Sequence, residues 1–372
     1  MEVVSSVLST PRATDHAFNG SDLRIDNSAL AELLAHQSEE SRPPIQKALR
    51  RAARAALSWE HEASELVEQG RSLQELPAVG PYLERVIRVW LENPPMVGEI
   101  PQVRSHFLTR TQARAHLKVR PEWRAHLRGD LQMHTEWSDG TETIPAMAAR
   151  AAELGYEYIA ITDHAKRLKI AGGINEEQLC AQAEEIESIN TSSSVRVLRS
   201  VELNLDNQGD GDLQLTSLRQ LDLVLGAFHS SLRRKEDQTP RYLAALRNPA
   251  LHILGHPRGR IYNFRPGLTA DWPRVFALAA ELDKAVEIDA YPDRQDLDLP
   301  LLRLAQSAGV RISIGTDAHA PEQLDFIEIG LAAASMAGIS KERLLNFLPL
   351  PELLAWARRI RDAQPVPHQL SL

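Results

Sequence analysis

The chain has 372 residues, 43% hydrophobic and 25% charged, with a net charge of −8 and one cysteine, Cys180. That length suits one large domain or two unequal ones. The single cysteine excludes an internal disulfide and a thiolate metal cluster, so a transition-metal site would have to use His, Asp and Glu. No run of 18 or more apolar residues occurs, and residues 1–20 lack a basic-then-apolar leader, so a cytoplasmic protein without a membrane partner is expected.

Residues 1–27 are polar without period and read as a disordered tail. Residues 28–95 form a helical domain in which Ala29, Leu30, Leu33 and Leu34, then Ile45, Leu49 and Ala53, recur at helical spacing. Arg42, Lys47, Arg50, Arg51 and Arg54 make its second segment basic, and Leu76-Pro77-Ala78-Val79-Gly80 is an apolar hairpin before an amphipathic stretch from Tyr82 to Leu91. Residues 96–128 read as a linker with a short helix.

From residue 129 to 362 the texture changes. Seven short apolar runs (130–134, 158–162, 195–203, 221–228, 251–256, 285–290 and 310–315) alternate with helical segments at 144–154, 176–189, 241–247, 272–282 and 299–308. Strands alternating with helices predict βα units and a parallel sheet, and their number and span favour a barrel over a doubly wound sheet. Residues 363–372 read as a tail. The charge divides along the same line: residues 1–128 carry 17 Lys+Arg against 16 Asp+Glu, and the remainder 25 against 34.

Metal-binding side chains stand where the strands should end: Gln132 and His134, then Asp139; Asp163 and His164; Glu202; His229; His256; Asp317 and His319. A lone strand-end His or Asp is more often a cap or a satisfied hydrogen-bonder, and Asp163 suits a helix cap. Parallel strands, however, bring these ends to one face. So many carboxylates and imidazoles at one mouth require cations, and the set suffices for two or three ions if one carboxylate bridges. Zn²⁺, Mn²⁺ or Fe²⁺ suits such ligands, and a pair of ions could clamp a phosphate and activate water.

The motifs Gly129–His134 with Trp137–Gly140, Ile161–His164, Val201-Glu202, His229–Ser231, Gly255–Pro257 and Thr316–His319 resemble, in order, those of the PHP (polymerase and histidinol phosphatase) superfamily. His256-Pro257 with Gly259-Arg260, and Tyr291-Pro292 with Arg294 and Asp296, make residues 128–362 most similar to the PHP domain of bacterial family X DNA polymerases. The resemblance implies an α/β fold, a distorted (β/α)7 barrel preceded by a small all-α domain. It also implies a trinuclear metal centre and phosphoester hydrolysis by metal-activated water, linked in the polymerases to 3′–5′ exonuclease and DNA 3′-end cleaning, hence to DNA repair.

Carried over by residue, the resemblance implies metal ligands at Gln132, His134, Asp139, His164, Glu202, His229, His256, Asp317 and His319, with Glu202 bridging. His134, Asp139, Glu202, His229 and Asp317 form the implied catalytic set. Gln132 stands where the family has the first His of His-x-His, which puts one metal in doubt. Arg260, Arg265 and Arg294 are candidates to hold substrate phosphate, because a guanidinium fork matches its oxygens. The helical segment resembles the polymerases' DNA-binding domain, with Leu76–Gly80 similar to a helix-hairpin-helix turn. DNA contacts are then expected at Val79, Gly80, Arg50 and Arg54, although Ala78 replaces the usual Gly and Pro81 removes an N–H donor. The short stretch between the two regions has no room for a polymerase palm. The expectation is a metal-dependent phosphoesterase, a 3′–5′ exonuclease or 3′-end phosphatase acting on DNA ends. The competing readings are a small-molecule phosphatase such as histidinol-phosphatase, and a non-enzymatic DNA-binding protein with a degenerate barrel.

Overall fold

The structure, a computed structural model, describes residues 25–363. The expected tails lie almost wholly outside these residues. Ile25 to Asn27, however, are packed: Asp26 caps the first helix by accepting from Ala29 N at 2.8 Å, and Asn27 is buried against His61 and Ala63.

Four α-helices open the described residues: α1 (Asn27–Glu40), α2 (Ile45–Ala55), α3 (Ala63–Glu68) and α4 (Pro81–Glu92). Their apolar faces, with Leu30, Leu34, Leu49, Trp59, Leu66, Leu83 and Ile87, form a separate core. The hairpin before α4 is pinned by Trp59 Nε1 donating to Pro77 O at 3.0 Å, and Ala78 takes a left-handed φ of 64°. A glycine would adopt that conformation without strain.

The proline-bearing stretch expected as a linker is packed rather than free. It carries α5 (Arg110–Lys118) and α6 (Pro121–His126). Arg104 is buried in a fork with Glu32 (2.9 and 3.0 Å) and also binds Glu39 and Asn263; Arg110 pairs with Glu60 and Asp325, both at 2.9 Å. These partners lie far off in the chain, so local composition gave no sign of the burial.

The remainder is built from β1 (Gly129–Asp130), α7 (Ile144–Glu153), β2 (Tyr158–Ile161), α8 (Glu176–Asn190), β3 (Arg196–Arg199), β4 (Glu202–Asn204), α9 (Leu215–Leu218), β5 (Leu225–Ala227) and α10 (Thr239–Arg247). It continues with β6 (Ile253–Leu254), α11 (Trp272–Glu281), β7 (Ala285–Asp289), α12 (Leu299–Ala308), β8 (Arg311–Gly315), α13 (Ile327–Met336) and α14 (Leu350–Asp362). Every ladder is parallel, in two sheets ordered β1-β2-β3 and β4-β5-β6-β7-β8. β3 and β4 are successive halves of the run expected as one strand, interrupted at Ser200-Val201.

The strands do not make one unbroken ring of ladders. Isolated parallel bridges join the sheets instead, His164 with Glu202 and Met133 with Ala318. Near the second bridge Leu131 N donates to Ile314 O (3.4 Å), Asp317 N to Gln132 O (3.1 Å) and His134 N to Ala318 O (2.8 Å). The central strand residues are largely buried because both faces are covered; all four residues of β2 are apolar and buried. The fold is therefore α/β with parallel sheets, preceded by a helical region.

Candidate metal centre

The ends of β1, β2, β4, β5, β6 and β8 converge, and Glu202 is their meeting point. Its Oε1 lies 2.6 Å from His256 Nε2 and 3.0 Å from His229 Nε2; its Oε2 lies 2.9 Å from His164 Nδ1 and 3.5 Å from His134 Nε2. Two oxygens of one buried carboxylate thus face four imidazoles, the arrangement a bridging ligand has.

Around it, His134 Nε2 is 2.9 Å from Asp317 Oδ1, while Asp139 Oδ1 is 3.5 Å from His164 Nε2 and 3.4 Å from His319 Nε2. The His134 ring stacks on His164 at 4.3 Å and lies 4.6 Å from His319. Three overlapping groups bring ligand atoms within 4.8 Å of one another: His134, Asp139, His164 and His319; His164, Glu202 and His229; His134, Glu202 and Asp317. These groups hold seven of the nine sequence-expected ligands, and His256 joins them through Glu202 as the eighth.

The residues fit cations. His134 Nδ1, His164 Nδ1, His256 Nδ1 and Glu202 Oε2 are buried without a hydrogen-bond partner among the described residues. His164 Nδ1 and Glu202 Oε2 face each other at 2.9 Å without hydrogen-bond geometry. A buried nitrogen and a buried carboxylate oxygen that face each other unbonded are costly unless an ion or proton sits between them. Burial alone would raise the Glu202 carboxyl, yet His164, His229 and His256 hold it well below its ordinary range. Burial would lower His256 and His319, but Glu202 pushes the first up to about 10, and Asp139 and Asp317 push the second up to about 9.

Local structure aims these groups. His256 (φ 21°) and Asp317 (φ 52°) take positive φ just past their strands, a strained backbone of the kind found at functional sites. Asn204 at the end of β4 donates through Nδ2 to Ala165 O and Asp212, which leaves its Oδ1 to accept from His229 Nδ1 at 2.7 Å. His229 is thereby fixed with Nε2 toward Glu202. Asp163 does not cap a helix as expected. It accepts from Thr135 N (2.8 Å), Thr135 Oγ1 (2.7 Å), Ser138 Oγ (2.5 Å) and Gln182 Nε2 (2.7 Å), and so secures the loop carrying His134 and Asp139.

Gln132 is engaged elsewhere. With its nitrogen toward Glu287, its amide donates to both carboxylate oxygens, at 2.5 and 2.9 Å. Glu287, whose Oε2 also accepts from His256 N at 2.7 Å, is raised well above its ordinary range, chiefly by burial and then by Asp289. Gly315 allows this packing, since a Cβ there would lie 2.4 Å from Glu287 Oε1. Glu287 and Asp289 had no role in the sequence reading. Their signal was two carboxylates at alternate positions inside an apolar strand, which places both on one face.

The three candidate phosphate-holding arginines separate. Arg260 is buried away from the centre: it pairs with Asp298 at 3.0 Å, donates to Ser105 O and lies 3.8 Å from the Phe107 ring centre, so its guanidinium is not available to a substrate. Arg294 does face the site. Burial opposes its charge, but Asp317, Asp289, Asp293 and Glu202 outweigh burial and raise its pKa. Arg265 lies beside it, held down to about 10 by burial and by the like charges of Arg294 and Arg233.

Of the expected DNA contacts, Val79 is buried and offers only backbone, Gly80 precedes α4 without a side-chain cap, and Arg50 is exposed. Lys47 and Arg51 share a groove of about 460 Å³ with Gly80 and Tyr82. Arg54 lies 3.9 Å from Asp293, the neighbour of Arg294, so the helical region reaches the rim of the centre.

Parallel strands that deliver histidines and carboxylates to one mouth define a metal-site hydrolase architecture. The family model described as the PHP domain matches residues 130–320, just over half of the chain, and the chain belongs to the PHP family. It is 36% identical over 234 residues to the DNA polymerase/3′-5′ exonuclease PolX of Bacillus subtilis (strain 168), covering 62% of this chain and 41% of that protein. The chain thus spans about two fifths of that relative. It is 28% identical over 216 residues to a probable phosphatase of Thermoanaerobacter sp. (strain X514), covering 55% of this chain and 83% of the relative. Histidinol phosphate phosphatase from Lactococcus lactis, crystallised with zinc, L-histidinol and phosphate, superposes with a TM-score of 0.43 at 16% identity, over 57% of this chain and 94% of that one. The chain is a PHP-family phosphoesterase. No helix among the described residues is long and apolar enough to cross a membrane.

Proposed function

We propose that this phosphoesterase acts on DNA ends, as a 3′–5′ exonuclease or 3′-end phosphatase. In this reading residues 129–362 are the catalytic domain and residues 28–95 hold the nucleic acid. The observation that carries it is the junction of the two: Arg54 of the basic helix stands 3.9 Å from Asp293, next to Arg294 at the mouth of the histidine–carboxylate cluster. Tyr262, from the loop after β6, is buried in the helical core, so groove and centre belong to one packed unit.

His134, Asp139, His164, Glu202, His229, His256, Asp317 and His319 would hold two or three divalent ions, Zn²⁺ or Mn²⁺ or else Fe²⁺, with Gln132 at most a weak contributor because Glu287 occupies its amide. What bound ions supply there is polarisation of the phosphoryl oxygens and an acidified water. The chain's own residues do the rest. Arg294 and Arg265 orient the phosphate and offset its charge. Asn204 keeps the proton of His229 on Nδ1, so that Nε2 points inward. Lys47, Arg51, Gly80 and Tyr82 offer the strand a basic groove with free N–H groups at the start of α4.

A small-molecule phosphatase is the second reading, favoured by the likeness to probable phosphatases over most of their length. A decayed, non-enzymatic barrel is disfavoured by the convergence of eight of the nine expected ligands. Turnover of 3′-recessed DNA and 3′-phosphate DNA against histidinol phosphate separates the readings. Faster kcat/KM on DNA ends is expected, and hydrolysis of histidinol phosphate alone would refute the proposal.

A further inference from the structure

Phe264 leaves 53% of its surface exposed at the edge of the candidate centre. Lone exposed apolar side chains are ordinary; the surroundings of this one are not. The Arg233 guanidinium sits 5.1 Å from its ring centre, and the next residue, Arg265, donates through Nε to Gly259 O. Gly259 N in turn donates to His256 O, and Gly259 packs against Leu232. The loops that carry His229 and His256 therefore close on each other beneath Phe264.

Two further features mark the place. Among the described residues neither Arg233 nor Arg265 pairs with a carboxylate within 4.0 Å, and Arg294 has only Asp293, at 4.0 Å. Carboxylates around the centre offset Arg294, but Arg233 and Arg265 carry like charge without a carboxylate partner, which favours an anion here. The loop is also stiff: Ile261 and Arg265 exchange both backbone hydrogen bonds at 2.9 Å, Tyr262 is buried with its N–H on Asp293 O at 2.8 Å, and Asn263 accepts from Arg104 at 3.0 Å. An exposed aromatic ring on a rigid loop, with a cation on one side and its remaining surface open, loses little entropy when a flat group stacks on it.

We propose that Phe264 is the stacking platform for the nucleobase of the terminal nucleotide, while Arg265 and Arg294 receive the adjoining phosphate and Arg233 steadies the ring. This rests on the DNA-end reading above and gives it a specificity-determining residue. Base–aromatic stacking tolerates any base, so the platform selects a terminus that carries a base without selecting its sequence.

The test is a ratio: kcat/KM on a single-stranded oligonucleotide ending in an ordinary 3′ nucleotide, over that on the same strand ending in a 3′ abasic site. The wild type is expected to favour the ordinary end about tenfold. Phe264→Ala should bring the ratio to about one, and Phe264→Trp should preserve it. Because both substrates are measured on the same preparation, loss of folded protein cancels. A Phe264→Ala ratio equal to that of the wild type, or a wild-type ratio near one, overturns the platform while leaving the DNA-end reading intact. No turnover of any oligonucleotide by the wild type, one ending in a 3′ phosphate included, overturns both.

Discussion

Asp163 ligates nothing in the candidate centre, yet the centre depends on it. Its carboxylate accepts four hydrogen bonds, from Thr135 N and Oγ1, Ser138 Oγ and Gln182 Nε2, at 2.5 to 2.8 Å. Thr135 and Gln182 are at most 1% exposed, so Asp163→Ala strands three buried donors without water to replace the acceptor. At about 1–3 kcal/mol for each buried group left unpaired, less what relaxation recovers, the variant should lose about 3–5 kcal/mol. Asp163→Asn, which keeps one acceptor oxygen, should fall between it and the wild type. The loop freed is the one that presents His134 and Asp139, so the His134–Asp139–His164–His319 group should lose metal before the groups built on Glu202. Urea unfolding gives the first quantity, and metal content per chain gives the second. Loss of less than about 1 kcal/mol with full metal content would refute the positioning role.

His252 supplies a pH test away from the centre. It accepts from Val224 N and donates to Ala357 O, and burial pushes its pKa down to about 4 from an ordinary 6.5. Because the folded value is depressed for a base, its neutral form stabilises the fold above pH 6.5, and that contribution is lost as pH falls toward 4. This amounts to about 3 kcal/mol. The wild type should therefore lose more stability than His252→Gln between pH 6.5 and 4 in urea titrations; parallel curves would contradict it. The arginines divide the same way. Arg260→Ala should destabilise by about 3–5 kcal/mol, because Asp298 and Arg258 are left in a broken buried network, with KM little changed. Arg294→Ala should raise KM for phosphoesters at least tenfold with the fold intact, and the reverse pattern would exchange their roles.

The ligand positions were legible because parallel strands buried on both faces are short apolar runs, and polar residues at their ends stand out. What composition cannot convey is pairing at a distance. Arg260 has the sequence context of a phosphate ligand, but Asp298 and Phe107 claim its guanidinium. Residues 96–128 read as a linker because Pro94 and Pro95 stand just before them and Pro101 and Pro121 punctuate them, whereas Arg104 and Arg110 are buried against carboxylates more than 40 residues away in sequence. Gln132 reads as a poor metal ligand, and Glu287 explains it: the amide just past β1 is matched to the carboxylate inside β7. Helix α13 escaped the alternating pattern because it is apolar on nearly every face and carries no amphipathic period.

The central claim is that one buried carboxylate, Glu202, organises a multi-metal phosphoesterase site. Elemental analysis of the purified chain beside its near-isosteric Glu202→Gln variant, with phosphoester turnover measured on the same samples, tests it most directly. The account predicts two or three divalent ions per wild-type chain, with the variant losing ions and activity together. A Glu202→Gln chain with wild-type metal content and turnover would contradict it.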